Sequence, residues 1–143
     1  MSDQAGNKPS EIVGFGVQST TPIKASPERV WKAMVDKMYN TSKYLPVTDV
    51  KITDKDHEKE VYREMTLNGK VLRENIYFDK SRFQIRVDLL DDDIVHFNVY
   101  DPDTGLLEYW EADKNGERRS WNAPKQVVLA AMQKTKEVAE AEK

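Results

Sequence analysis

Between Glu11 and Lys24 apolar residues alternate along the chain. Val13, Phe15 and Val17 share one face, with Gly14 and Gly16 between them, which predicts a strand bent at its glycines. Ser26-Pro27-Glu28 then supplies a cap residue, a proline at the first helical position and an acid in the first turn. Val30, Trp31, Met34, Val35 and Met38 follow at helical spacing, so a helix is predicted from about Pro27 to Tyr39. Asn40-Thr41-Ser42 stops it, and Thr41 or Ser42 caps a short second turn that ends at Pro46.

From Val47 the period changes to two. Val50 and Ile52 alternate with polar neighbours, as do Val61, Met65 and Leu67, after which Asn68-Gly69 is a strong two-residue hairpin signal. Leu72, Ile76 and Phe78 come next, then Phe83, Ile85, Val87 and Leu89, then Val95, Phe97 and Val99, then Leu106 to Trp110. The separators Asp79-Lys80-Ser81, Asp91-Asp92-Asp93 and Asp101-Pro102-Asp103-Thr104-Gly105 are short and turn-like. Such connections join antiparallel neighbours only, because a parallel pair needs a long crossover; a doubly wound nucleotide-binding fold is excluded. Asn122 and Pro124 open a last helix with the stripe Val127, Val128, Ala131, Met132, Val138 and Ala139. At about 20 residues it is roughly 30 Å long, enough to cross a small sheet.

The order is therefore strand, two short helices, six strands, long helix. That is an α+β fold, with a seven-stranded antiparallel sheet whose apolar face only the helices can cover. A curved sheet gripping one helix leaves a gap too wide for side chains to fill, a candidate ligand cavity of about 300–1,000 Å³ when open. Residues 1–10 are small and polar and read as a mobile tail; residues 11–143 read as a single domain.

Composition narrows the partners. The 143 residues carry 22 basic and 25 acidic side chains, a net charge of −3, and mean hydropathy is −0.74. An acidic chain without a basic cluster disfavours nucleic acid. The absence of cysteine removes disulfides, thiolate catalysis and thiolate metal sites, and two histidines do not make a metal cage. No cofactor is expected. No apolar run reaches the roughly 18 residues of a bilayer span, so stable membrane insertion is not expected. The polar start, Met1 to Ser10, is no signal peptide, and a cytoplasmic protein is expected.

Four segments carry a resemblance: Val30-Trp31-Lys32-Ala33-Met34, the stretch from Tyr44-Leu45-Pro46 to Ile52, Tyr62-Arg63-Glu64-Met65-Thr66, and Val71-Leu72-Arg73-Glu74-Asn75-Ile76. With the element order, they resemble the helix-grip fold of the START and birch-pollen-allergen superfamily (SRPBCC), most of all its AtaL-like branch. The resemblance implies an internal hydrophobic cavity for a lipid or polycyclic, polyketide-like ligand, adapted in some members for cyclisation or dehydration. One departure weakens the plant-allergen and hormone-receptor readings: Thr53 to Lys59, where that branch has a glycine-rich loop, contains no glycine. A lipocalin-like barrel does not need so long a terminal helix, and a cone-shaped cyclase fold places its helices first.

Register arithmetic gives the sharpest candidate site. With Asn68-Gly69 as the turn, Met65 pairs with Leu72, Arg63 with Glu74 and Val61 with Ile76. The flanking pairs are apolar, so Arg63 and Glu74 face the core opposite each other, costly unless they pair. Arg63 is then a candidate to orient a carboxylate, phenolate or carbonyl, and Glu74 a candidate general base. The structural alternative is a pair that satisfies itself and fixes register. Met65, Leu72, Ile76, Ile85, Val87 and Phe97 are expected to line the cavity with that pair, under a roof of Val128, Met132 and Thr135.

Strand parity sends His96, Asn98 and Tyr100 outward and makes His96 a surface residue; His57 reads as exposed and Asp91-Asp92-Asp93 as a turn rather than a calcium loop. Three functions stay open. The first is binding of a hydrophobic small molecule. The second is a cofactor-free cyclase, dehydratase or isomerase using Arg63, Glu74 and a tyrosine such as Tyr62 or Tyr77. The third is an interaction module with a filled core. The first two need a void lined by an unsatisfied polar group. The third predicts none.

Overall fold

The structure, a computed structural model, describes residues 12–13, 16–19, 21–119 and 125–141. The expected tail, Phe15, Asn122 and Pro124 lie outside the described residues. The elements run β1 (Ile12–Val13), β2 (Gly16–Gln18), α1 (Pro27–Tyr39), β3 (Thr48–Asp56), β4 (Glu60–Leu67), β5 (Lys70–Asp79), β6 (Gln84–Leu89), β7 (Val95–Asp101), β8 (Leu106–Ala112), β9 (Arg118–Arg119) and α2 (Lys125–Ala141). One curved antiparallel sheet takes the order β1-β2-β8-β7-β6-β5-β4-β3, with β9 added to β8. Two of the nine strands among the described residues have only two residues, which leaves the seven expected.

Local chemistry explains the elements that hold the site. Ser26 caps α1: its Oγ accepts from the Arg29 N–H at 3.3 Å, and Pro27 takes the first helical position. After α1 the expected second helix is a single 3₁₀ turn, Thr41–Lys43. Asp36 ties that turn back to the helix, accepting from Asn40 Nδ2 at 2.7 Å, Lys43 Nζ at 3.0 Å and the Tyr44 hydroxyl at 2.6 Å. Asn68 (φ 51°) and Gly69 (φ 79°) both have positive φ, the requirement of a type I′ hairpin, and every predicted β4–β5 pair is present. Val30, Met34, Val61, Ile76, Ile85 and Leu107 form the centre of the core between the helices and the sheet.

Two expectations are corrected. The first strand does not run through bent glycines; it doubles back, with Ile12 opposite Val17 and Val13 opposite Gly16. An alternating pattern reads the same for one strand as for a tight hairpin.

The second correction inverts β7. Val87 pairs with His96 and Ile85 with Asn98, so His96, Asn98 and Tyr100 face inward. Phe97 lies on the outer face, opposite Arg86 and Trp110. There it stacks on Trp110 at 5.1 Å between ring centres, with the Arg118 guanidinium 3.9 Å from the Trp110 ring. Arginine planes cover the outward aromatics, so apolar parity on this strand marks the wrong face.

Candidate ligand site

Arg63 on β4 and Glu74 on β5 are 3% and 2% exposed, and Arg63 Nε donates to Glu74 Oε1 at 2.7 Å. The end of α1 meets a second nitrogen of the guanidinium. Nη1 donates to Thr41 Oγ1 at 2.8 Å and to the Met38 carbonyl at 3.4 Å, where the helix presents its negative pole. The pair is buried, geometrically good and supplied with extra hydrogen bonds, the conditions under which such a pair persists in a core.

Lys37, one turn before Thr41, enters the same space. It is 6% exposed, its Nζ donates to Asn98 Oδ1 at 2.7 Å, and the ammonium position is 4.1 Å from the centre of the Tyr109 ring. Burial, helped by the positive Arg63 and opposed by Glu74, brings its pKa down to about 7. Tyr109 on β8 is 2% exposed, and its hydroxyl has no hydrogen-bond partner among the described residues. Thr135 is its neighbour, but the Thr135 hydroxyl donates to the Ala131 carbonyl at 2.8 Å. Burial pushes the Tyr109 phenol well above its ordinary value, so it remains a donor.

A second network sits beside these groups. Glu111 is 2% exposed, accepts from Arg119 Nε at 2.9 Å and lies 3.3 Å from His96 Nε2. Burial raises its carboxyl pKa, and the contacts with His96 and Arg119 together outweigh that and hold it below the usual range.

These groups border a cavity of about 120 Å³. Its floor is Met65, Leu72 and Val87; its roof is Val127, Val128 and Ala131 of α2; Arg63, Glu74, Lys37, Asn98, His96 and Tyr109 supply the polar wall. The half-exposed Leu45, Leu67 and Val127 form its rim. The volume falls below the expected 300 Å³, because the side chains of α1 and α2 fill the remainder of the groove.

Six of the eleven residues expected at the site line this cavity: Arg63, Glu74, Met65, Leu72, Val87 and Val128; Thr135, expected in the roof, is fully buried beside it. Ile76 and Ile85 share the inner face but are fully buried in packed core. Met132 packs into the core towards Ser19 and Leu129, away from the cavity, and Phe97 is on the opposite side of the sheet. Neither expected tyrosine reaches it. Tyr62 donates to Glu64 at 2.7 Å and Tyr77 is 37% exposed.

Sequence reasoning missed Lys37, Asn98, Tyr109 and Thr41, and wrongly dismissed His96. Val30, Met34, Lys37 and Thr41 are spaced as one helical stripe, which would have placed the lysine on the buried face. His57, by contrast, is exposed and held by Asp54, as expected. Asp91, Asp92 and Asp93 serve Arg73, Lys70 and the Lys114 N–H, and no metal-binding cluster occurs among the described residues. No described helix is long and apolar enough to cross a membrane.

No family model matches the chain, and no curated protein matches it. Solved structures do. TTHA0849 from Thermus thermophilus superposes with a TM-score of 0.60 at 14% identity, over 89% of this chain and 97% of that one. The Zhui aromatase/cyclase from Streptomyces sp. R1128 gives 0.55 at 13% identity, over 90% and 92%. Ara h 8.0201 gives 0.48 at 16% identity, over 88% and 93%. With the sheet order and the terminal helix, the first two show that this chain shares their fold, a curved antiparallel sheet gripping a long terminal helix.

Proposed function

We propose that this chain binds a compact, largely apolar small molecule bearing an oxygen acceptor in the cavity beneath α2. The observation that carries the reading is Tyr109, a residue of the cavity wall whose buried hydroxyl has no partner among the described residues. An unpaired buried hydroxyl costs about 1–3 kcal/mol, which a ligand oxygen accepting its proton recovers. A filled interaction module needs neither the void nor the orphan donor. The volume of about 120 Å³ favours one ring or a short branched chain over a polycyclic ligand; a dry cavity of about 150 Å³ takes up benzene.

Titration with toluene and anisole, followed by NMR or calorimetry, tests this. Both should bind at one equivalent, with anisole about fivefold tighter from one hydrogen bond of roughly 1 kcal/mol. Tyr109→Phe should remove that preference while keeping toluene. Absence of binding by both overturns the reading.

A second reading, a cofactor-free enzyme, is favoured by Arg63, Glu74 and Lys37 converging on one wall, and one structural neighbour is described as an aromatase/cyclase. Glu74→Gln keeps shape and removes the base. Turnover of a substrate found by screening should fall about 10²–10⁴-fold if Glu74 takes a proton, and stay unchanged if the site only binds.

A further inference from the structure

We propose that Lys37 is a carbonyl-capturing amine, whose Nζ condenses reversibly with a small aldehyde or ketone held in the cavity. The proposal rests on the ligand-binding reading above and names the class of ligand. Among the described residues Lys37 is the one buried lysine, and it lines the cavity. Its hydrogen bond runs to a neutral amide oxygen, on Asn98, and no described carboxylate forms an ion pair with it. A lysine kept for structure alone would take the charge partner that Arg63 takes in Glu74. The cavity instead holds the amine between an amide, an aromatic face and apolar walls.

The surroundings suit each part of the reaction. The Nζ lone pair forms a bond to the carbonyl carbon as the carbonyl π pair moves onto oxygen. A proton passes from nitrogen to that oxygen, giving a carbinolamine. Its hydroxyl then leaves with the remaining nitrogen proton as water, and a neutral C=N bond stays on Lys37. The Tyr109 hydroxyl, without a partner among the described residues, is the donor for the carbonyl oxygen, and its burial keeps it protonated. The walls of Met65, Val87, Val128 and Ala131 limit the water that would reverse the step. At a pKa of about 7, about half of Lys37 is unprotonated at neutral pH, against roughly one in 2,500 for an ordinary lysine. The other titratable groups on the cavity walls are Arg63 of β4, Glu74 of β5, His96 of β7 and Tyr109 of β8; α2 contributes Val127, Val128 and Ala131, none of them charged.

The experiment is reductive trapping of the wild-type protein with butanal and cyanoborohydride at pH 7, read by intact mass and peptide mapping. Lys37 should be alkylated first, at least about tenfold faster than the exposed lysines given its unprotonated fraction. Its labelling should rise with pH around 7, and excess anisole should suppress it. Lys37→Met, checked for folding by circular dichroism, should lose the fast site and keep the slow background. Labelling spread over exposed lysines, with Lys37 no faster than their mean, overturns the proposal. If anisole binds and Lys37 does not trap, this inference alone falls; if neither happens, the ligand-binding reading falls with it.

Discussion

Lys37 and Tyr109 are the residues whose placement costs this protein stability, and both costs are measurable. Tyr109→Phe keeps the ring under the Lys37 amine and deletes an unpaired buried hydroxyl. The free variant should therefore be about 1 kcal/mol more stable in urea unfolding, where deleting a satisfied hydroxyl would cost about as much. Lys37 acts through pH. Its pKa is 10.5 as a free side chain and about 7 in the fold. Between those values the unfolded chain holds a proton that the folded chain has shed, so stability rises with pH across that window. Below pH 7 both states are protonated and the whole penalty is present, on the order of 5 kcal/mol. Lys37→Met should flatten this rise between pH 7 and 10 relative to wild type. Parallel wild-type and variant curves would mean that the amine is solvated.

At the scale of elements, turns and edges decide which side chains meet. Gly69 and Gly105 both have positive φ, but a Cβ on Gly69 meets nothing within 4 Å, while one on Gly105 comes 3.0 Å from Pro22 Cβ. Gly69→Ala should cost about 1 kcal/mol, from backbone strain alone. Gly105→Ala should cost roughly 2–3 kcal/mol, because it also pushes on the segment whose Ile23 N–H donates to the Gly105 carbonyl. Thermal unfolding of the pair checks the order; equal losses would mean that Pro22 yields freely.

Turn chemistry also explains what the sequence shows and hides. Asn68-Gly69 admits one register, so Arg63 beside Glu74 was legible to the residue, as was α1 from its Ser-Pro cap. The β6–β7 connection carries no such signature. Pairing of Asp88 with Val95 sets the parity of β7, and the apolar residues of that strand face outward under arginine. Two of the six groups of the polar wall, His96 and Asn98, were hidden for that reason. Lys37 was hidden for another: a charged residue inside an apolar stripe reads as the stripe's border until the helix end is seen to turn inward.

The whole molecule keeps an apolar space that its own side chains could close. Ala131 of α2 is 1% exposed and sits in the cavity roof, where a larger side chain has room to extend. Ala131→Leu adds three carbons to that space, worth about 0.8 kcal/mol for each buried methylene before the cost of imperfect fit. A net gain of about 1–2 kcal/mol is expected in urea unfolding, together with loss of anisole binding. In wild type, anisole should raise the unfolding midpoint with concentration, as ligand binding to the folded state requires, and in the variant it should not. A destabilised variant that still binds anisole would place the ligand elsewhere, with the groove of Lys32, Asp36 and Lys43 between the helices as the next place to look. A stabilised variant that no longer binds would show that the cavity is held open against folding stability. That trade is the pattern of a site kept for function, since a core under no such demand gains by filling its voids.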